Sequence, residues 1–313
     1  MNTQSNAVPE DPLEAKAAAP MALRPTRPLY WSVRRELWEN RSIYIAPLAV
    51  AAIYLLGYLI SLFWLPRGMQ ALVADHSTPQ LVALAMPYSH AAMLIMLVAF
   101  LVAIFYSLEA LHGERRERSI LFWKSLPVSD LTTVLAKAII ALVVLPLLVF
   151  AVTISLQITM RLLSSAVLLI SGASTATPWG PPLFEMDVVL LYSVIVIALW
   201  HAPIYMWMLL VSGWARRATF LWAVLPPLAI AALEKIAFNT SYFGFMLLNR
   251  LVGFVGAFHL TDKDGIAVDP HFIPVGQLAP GQFLSNPSLW LGLIVAGIFF
   301  AAAVRLRRYQ GAL

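Results

Sequence analysis

Cysteine is absent from this chain of 313 residues, and charged residues are scarce. Without cysteine the chain cannot form disulfides, use a thiolate nucleophile or bind a metal through thiolates. Only 12% of the residues are charged, about half the share in a typical soluble domain, whereas 60% are hydrophobic. A soluble domain cannot hide that much apolar surface, and a disordered chain would show the opposite balance. The composition therefore predicts a polytopic membrane protein.

Several sequence motifs of enzymes are missing as well. The chain contains no phosphate-binding GxxxxGK[ST] sequence and no zinc-binding HExxH sequence. Its six histidines show no metal-ligand spacing. We therefore expect a protein that is not an enzyme and that binds no metal or cofactor of its own. The net charge of +5 is expected to set the orientation in the membrane rather than to bind nucleic acid.

Six apolar runs approach the ~20 residues that an α-helix needs to cross a bilayer. We expect an all-α fold with six transmembrane helices, in which residues 1–28 form a flexible, polar tail and residues 29–313 the transmembrane domain. The predicted spans are 43–65, 87–108, 131–158, 188–211, 218–238 and 289–304.

The distribution of lysine and arginine predicts the orientation of these spans. Six crossings that start inside the cell place most basic residues on the cytoplasmic side, as the positive-inside rule requires. Both termini are then cytoplasmic, and the membrane is expected to be the plasma membrane, in a bacterium the inner membrane.

A further apolar segment, residues 241–260, precedes the last span. Phe243, Leu247, Leu251, Phe254 and Phe258 form one helical stripe along it. A seventh crossing would move the RLRR sequence near residue 307 to the outside, so we expect this segment to lie on the outer surface or to enter the membrane and return.

Two other regions carry charge next to apolar residues. The segment 29–41 mixes the two kinds and predicts an amphipathic helix on the membrane surface, with a simple charged lead-in to the first span as the alternative. Glu234 and Lys235 lie near the outer end of the fifth span. Charges at membrane depth are often functional, but these two could also reach the interface.

The segment between the second and third spans, residues 109–138, has the most distinctive pattern. A charge cluster at 114–118 is followed by the large apolar residues of 120–123 and then by a turn at 126–129, where Ser129 can cap the next helix. This pattern predicts an amphipathic cytoplasmic helix. Such a helix is either a docking surface or lies on the membrane without a partner.

This segment resembles the cytoplasmic loop of type-2 ABC transporter permeases. Glu114 matches the acidic position of that loop, Leu126 to Ser129 match its Leu-Pro-Val-Ser turn, and Lys137 matches the basic residue of the next helix. Arg118 and Ser119 stand where the family commonly has glycine and threonine. The six-span layout, the N-terminal amphipathic segment and the apolar outer segment also fit that family.

The resemblance implies a permease subunit that works as a dimer, with a second copy or a paralogue. ATP and Mg would be bound by a separate ATPase subunit, and the substrate would be an exported amphiphile, drug, peptide or lipid. A membrane scaffold or assembly factor is the alternative function.

The resemblance also implies the residues that contact the ATPase. Those of the coupling loop are Glu114, Arg115, Arg116, Glu117, Arg118, Ser119, Ile120, Phe122, Trp123, Leu126, Pro127 and Lys137. A second contact is expected at the N-terminal helix, through Trp31, Arg34, Arg35 and Leu37.

Overall fold

The computed structural model describes residues 27–65, 80–117, 128–171, 182–259 and 273–309. Every regular element in these ranges is a helix, and the one extended pairing is an antiparallel bridge between Phe258 and Leu278. Residues 1–26 of the predicted tail and residues 118–127 of the predicted coupling helix lie outside the described residues.

The described helices are numbered here in chain order. They are α1 (Pro28–Glu39), α2 (Ser42–Ser61), α3 (Gln80–Glu109), α4 (His112–Arg116), α5 (Asp130–Ile139), a π-helical segment (Ile140–Val144), α6 (Leu145–Ile170), α7 (Leu183–Trp214), α8 (Thr219–Phe238), α9 (Tyr242–Val252), two short 3₁₀ segments (Gly253–Ala257 and Val275–Gln277), α10 (Pro280–Ser285) and α11 (Pro287–Tyr309).

Six of these helical stretches are long and apolar enough to cross a membrane, which confirms the predicted number of spans. They are α2, α3 with α4, α5 with the π segment and α6, α7, α8, and α11. The prediction of an all-helical fold with six helices able to span a membrane is therefore confirmed for the part of the chain that the structure describes.

Several helices extend beyond their predicted bounds. The second was predicted to start at Pro87, but α3 begins at Gln80 and continues through this proline. A proline is tolerated inside a membrane helix because neighbouring helices can satisfy the backbone around it. The Tyr54 hydroxyl of α2 donates to the Pro87 carbonyl at 2.6 Å and so joins α2 to α3 at this proline. The third stretch was predicted to end at residue 158 but continues past Arg161 to Ile170.

The core of the bundle depends on small residues along α3. Ala85, Ala92, Ala99 and Ala103 are all buried, and their spacing of seven and four residues places them on one face. Small side chains let helix backbones approach closely, which is the main source of packing energy between membrane helices. Helix α3 contacts α2, α6 and α7, and α7 in turn packs along α11.

Helix α8 differs from the others because little of its surface is covered. Only Ala223 is buried, whereas Leu225, Leu233 and Ile236 are exposed by more than half of their surface. A helix that is apolar on all sides and exposed is expected where lipid is the solvent.

The apolar segment after α8 turns back onto the bundle. Helix α8 ends before Asn239, whose φ of 51° is the left-handed conformation that often terminates helices. The segment then forms α9 and a 3₁₀ turn, and the Trp200 indole in the middle of α7 donates to the Asn249 carbonyl at 3.1 Å. The segment therefore packs against the middle of α7 and contacts the start of α11 through Arg250 and Ser288.

The inward face of this segment differs from the predicted stripe at one position. Leu251 is 43% exposed, and the half-buried residue beside it is Arg250. The Arg250 guanidinium lies 4.7 Å from the centre of the Trp200 ring and donates to the Ser288 carbonyl at 2.6 Å. A Cβ atom on Gly292 would overlap this guanidinium, so glycine leaves the space that Arg250 fills.

Glu234 fixes the start of α9. Its carboxylate accepts hydrogen bonds from the backbone amides of Tyr242 and Phe243, both at 2.8 Å, and from the Thr240 hydroxyl at 2.8 Å. The first amides of a helix have no partner within the helix, and a carboxylate there also interacts favourably with the helix dipole. Lys235, its neighbour, is exposed.

We therefore predict that Glu234→Ala loosens α9, whereas Lys235→Ala does not. Loss of the carboxylate leaves two amides without a partner, so amide exchange over residues 242–252 should become several-fold faster in the full-length protein. Hydrogen exchange with mass spectrometry measures this directly. Equal exchange rates in both variants would show that Glu234 does not hold the helix.

Candidate functional site: a buried ion-pair network

The charge cluster at residues 114–118 divides into an inner and an outer part. Glu114 and Arg115 are each only 6% exposed, whereas Arg116 and Glu117 are exposed. Of the other residues predicted for the coupling loop, Lys137 is described. The rest lie outside the described residues: Arg118, Ser119, Ile120, Phe122, Trp123, Leu126 and Pro127.

Helix α4, which carries this cluster, is fastened to the end of α7. The Ser212 hydroxyl accepts from the amides of Leu111 and His112 at 2.8 and 2.9 Å, so the free donors at the start of α4 are satisfied. The Arg115 guanidinium donates to the Gly213 carbonyl at 2.5 Å. Because carbonyls at the end of a helix lack partners and carry partial negative charge, an arginine there is favourable.

Glu114 is the centre of a buried network of charges. Its carboxylate lies 3.1 Å from the Lys137 ammonium and 3.2 Å from the Arg35 guanidinium, and it also accepts from Arg307. These partners stand on α5, α1 and α11. One carboxylate therefore holds α4 against three other helices.

Lys137 and Glu36 form the most deeply buried pair of the network. The Lys137 ammonium lies 2.7 Å from the Glu36 carboxylate, and both side chains are 2% exposed. The Tyr106 hydroxyl of α3 donates to the same carboxylate at 2.9 Å. A buried charge is tolerated only when it is paired and hydrogen-bonded, and both conditions are met here.

Asp130 and Arg35 complete the charge balance at the rim. Asp130 stands at the start of α5, and its carboxylate lies 3.2 Å from the Arg307 guanidinium of α11. Burial would by itself lower the pKa of Arg35, but the carboxylates of Glu39, Glu36 and Glu114 together raise it. Six side chains thus form the buried part of the network and its rim, namely Glu36, Glu114, Asp130, Lys137, Arg307 and Arg35, and Arg35 also pairs with Glu39 at 2.8 Å on the exposed side.

The start of α5 agrees with the sequence prediction. The Ser129 hydroxyl accepts from the Thr132 amide at 3.1 Å, which confirms that Ser129 caps this helix. The helix enters the bundle directly after residues 118–127. In the chain, residues 118–127 are therefore flanked by members of the network on both sides. Glu114 precedes them, and Asp130 and Lys137 follow them.

The predicted second contact on α1 also divides into two faces. Trp31 and Arg34 are exposed, whereas Leu37 packs against the core and Arg35 belongs to the network, with 19% of its side chain exposed. Glu234 and Lys235 lie on α8, close to its far end, and take no part in the network.

The arrangement is suited to joining helices, and its chemistry is that of paired charges. Lys137 was predicted from its sequence match as a residue of the ATPase contact, but the structure places it, with Glu114 and Arg115, inside the subunit. Among the described residues, no group of three or more His, Asp or Glu side chains is placed to bind a metal ion.

Sequence reasoning missed four members of the site: Glu36, Tyr106, Asp130 and Arg307. One signal was available, because Lys137 lies within the apolar sequence VLAKAII and a buried cation requires counter-charges. That signal does not name the partners, which are separated from Lys137 and Glu114 by up to 193 positions.

Comparison with known proteins adds no assignment. We found no matching family model, no matching curated protein and no matching solved structure for this chain. The resemblance of residues 109–138 to an ABC permease loop therefore stays a prediction from the sequence.

We predict that Glu114→Gln destabilises the protein strongly, since it leaves the buried cations Lys137 and Arg307 with fewer counter-charges. Breaking a buried ion pair by removing one partner costs about 3–5 kcal/mol of unfolding free energy. Glu117→Gln is the matched control, because the same change occurs at a side chain that is 68% exposed. Unfolding in mixed detergent micelles measures both, and equal losses would refute the central position of Glu114.

A second prediction concerns the pair Lys137 and Glu36. Lys137→Met alone leaves the Glu36 carboxylate buried beside Tyr106, and the unfolding free energy should fall by about 3–5 kcal/mol. Adding Glu36→Gln removes the unpaired charge and should restore a large part of that loss. If the two losses simply add in the same unfolding experiment, Lys137 and Glu36 do not stabilise each other.

Proposed function

We propose that this chain is the membrane-spanning permease subunit of an ABC transporter. It would export a substrate of the amphiphile, drug, peptide or lipid class with energy from ATP hydrolysed on a separate subunit. The observation that carries the proposal is the position of residues 118–127: the stretch that resembles a coupling helix lies between two elements that the buried network joins.

The described contacts support a route for the mechanical signal. Helix α4 is bound to the end of α7 through Ser212 and Arg115, and to α1, α5 and α11 through Glu114. A displacement of the loop would therefore act on α5, α7 and α11 together. Packed elements that move as units are how a local push becomes a change of the whole transporter.

In this proposal the network lies at the cytoplasmic end of the bundle, together with both termini. The partner ATPase supplies ATP and Mg and binds the loop, and a second permease copy or a paralogue completes the transporter. The protein resides in the plasma membrane.

The charges available to the partner are Arg116 and Glu117. They are the exposed members of the described part of the cluster, and Arg116 lies 3.1 Å from the Glu109 carboxylate. Exposed charges of this kind tune the recognition of a partner and the rate of encounter more than the affinity. The affinity would come from the large apolar residues Ile120, Phe122 and Trp123, because such residues are the common hot spots of interfaces.

The proposal is tested by purifying the tagged full-length chain in mild detergent from its native membrane. A nucleotide-binding subunit should co-purify at a fixed ratio, and its ATPase activity should be inhibited by vanadate. Purification without any ATPase, in a preparation that keeps other membrane partners, would favour the scaffold or assembly function.

We predict that Trp123→Ala reduces the amount of co-purified ATPase at least tenfold, because removal of an interface hot spot costs about 2 kcal/mol or more. The double charge reversal of Arg116→Glu with Glu117→Arg should weaken the contact in a salt-dependent way. Trp290→Ala is the control, since Trp290 is an exposed tryptophan at the start of α11, away from α4 and the network. An unchanged ATPase ratio in the first two variants would contradict the coupling assignment.

A further inference from the structure

One face of α1 alternates arginine with tryptophan. Arg27, Trp31, Arg34, Trp38 and Arg41 follow one another at spacings of four and three residues, from the residue before the helix to the one that precedes α2. Within α1 that spacing places Trp31, Arg34 and Trp38 on one side of the helix, and Arg27 and Arg41 flank its two ends. All five are exposed, whereas Glu36 on the opposite side is buried in the network.

The centre of this face, which we name the Arg–Trp stripe after these five residues, is ordered by ring contacts. The Arg34 guanidinium lies 5.3 Å from the centre of the Trp31 ring and 4.6 Å from that of Trp38. Such cation–π contacts hold the guanidinium in place, but they do not neutralise its charge. The two indoles thus fix the position of the Arg34 guanidinium, which keeps its positive charge.

The carboxylate nearest in sequence to the stripe is already engaged. Glu39 accepts from Arg35 at 2.8 Å, and Arg35 belongs to the buried network. The stripe therefore presents three arginines on a surface with no acidic residue among its members. Its complement is an anionic partner that also accepts tryptophan contacts.

An apolar cleft opens beside the stripe. It has a volume of about 530 Å³ and is lined by Leu37, Trp38, Tyr44, Val144, Leu147 and Leu148. The cleft lies where α1, the start of α2, the end of the π segment and the start of α6 meet. Trp38 belongs to both features, so an apolar chain in the cleft would be attached to a polar group at the stripe.

We propose that the Arg–Trp stripe and this cleft form a binding site for an anionic phospholipid. The phosphate contacts Arg34, with Arg27 and Arg41 at either side, and an acyl chain occupies the cleft. Tryptophan and arginine are the residues that favour the membrane interface, and anionic headgroups attract basic residues there. A protein partner at this face would leave the cleft without an occupant, which is why the lipid is favoured. The inference rests on membrane insertion and not on the proposed transport function.

The test uses the purified full-length chain, without an ATPase, in nanodiscs of mixed phosphatidylglycerol and phosphatidylcholine. Lipids retained after transfer to detergent are counted by native mass spectrometry. Wild type should retain phosphatidylglycerol in excess of its share in the nanodisc. Arg34→Gln should lower that excess about fivefold, the contribution of one basic residue at an anionic surface, and Arg34→Lys should lower it less.

Arg217→Gln is the matched control, because it removes one exposed positive charge outside α1. The combined change Trp31→Ala with Trp38→Ala should lower retention without any change in charge. Addition of inorganic phosphate should not displace the lipid.

Three results of the nanodisc experiment and one result of the ATPase co-purification would overturn the proposal. Unchanged phosphatidylglycerol retention in Arg34→Gln would exclude the site, and an equal loss in Arg217→Gln would show a net-charge effect only. Displacement by free phosphate would show a simple anion site. If Arg34→Gln retained the lipid but lost a co-purified ATPase, the stripe would be a protein contact, and this outcome would support the proposed function while refuting the lipid site.

Discussion

The burial of Lys137 is the constraint on which one end of this protein depends. An ammonium group that is 2% exposed inside a helical bundle is stable only with carboxylates around it, and they come from Glu36 on α1 and Glu114 on α4. Glu114 in turn pairs with Arg35 and Arg307. One buried cation therefore determines where the N-terminal helix, the segment before the loop and the last helix must lie.

The two ends of the bundle handle charge in different ways. At the network end, cations pair with carboxylates, so the helices are joined by groups of both signs. At the other end, Arg250 is satisfied by the carbonyls of Trp200 and Ser288 and by an aromatic ring. Contacts to backbone carbonyls hold Arg250 in place without a charged residue on another helix. The Glu234 carboxylate likewise accepts hydrogen bonds from backbone amides.

The sequence was sufficient for the spans because an apolar run of ~20 residues has few alternatives in a membrane. It was not sufficient for the site. Glu114 and Glu117 are the same residue type and stand three positions apart in one charge cluster. The sequence therefore does not show that Glu114 is buried and Glu117 exposed. The partners of Glu114 lie on other helices, and pairing across such distances follows from packing that a single sequence does not display. The sequence likewise did not indicate that Arg250, next to Leu251 of the predicted stripe, would lie over the Trp200 ring.

The separation of Glu114 and Arg307 has a consequence for biosynthesis. The two residues are 193 positions apart, and at ~5–20 residues per second the ribosome needs roughly 10–40 s to reach the second after the first. During that interval neither Glu114 nor Asp130 can pair with Arg307. The last helix is therefore the element that completes the network. In a newly made chain in which this helix fails to insert, α4 and the start of α5 lack the contact through which Arg307 joins them.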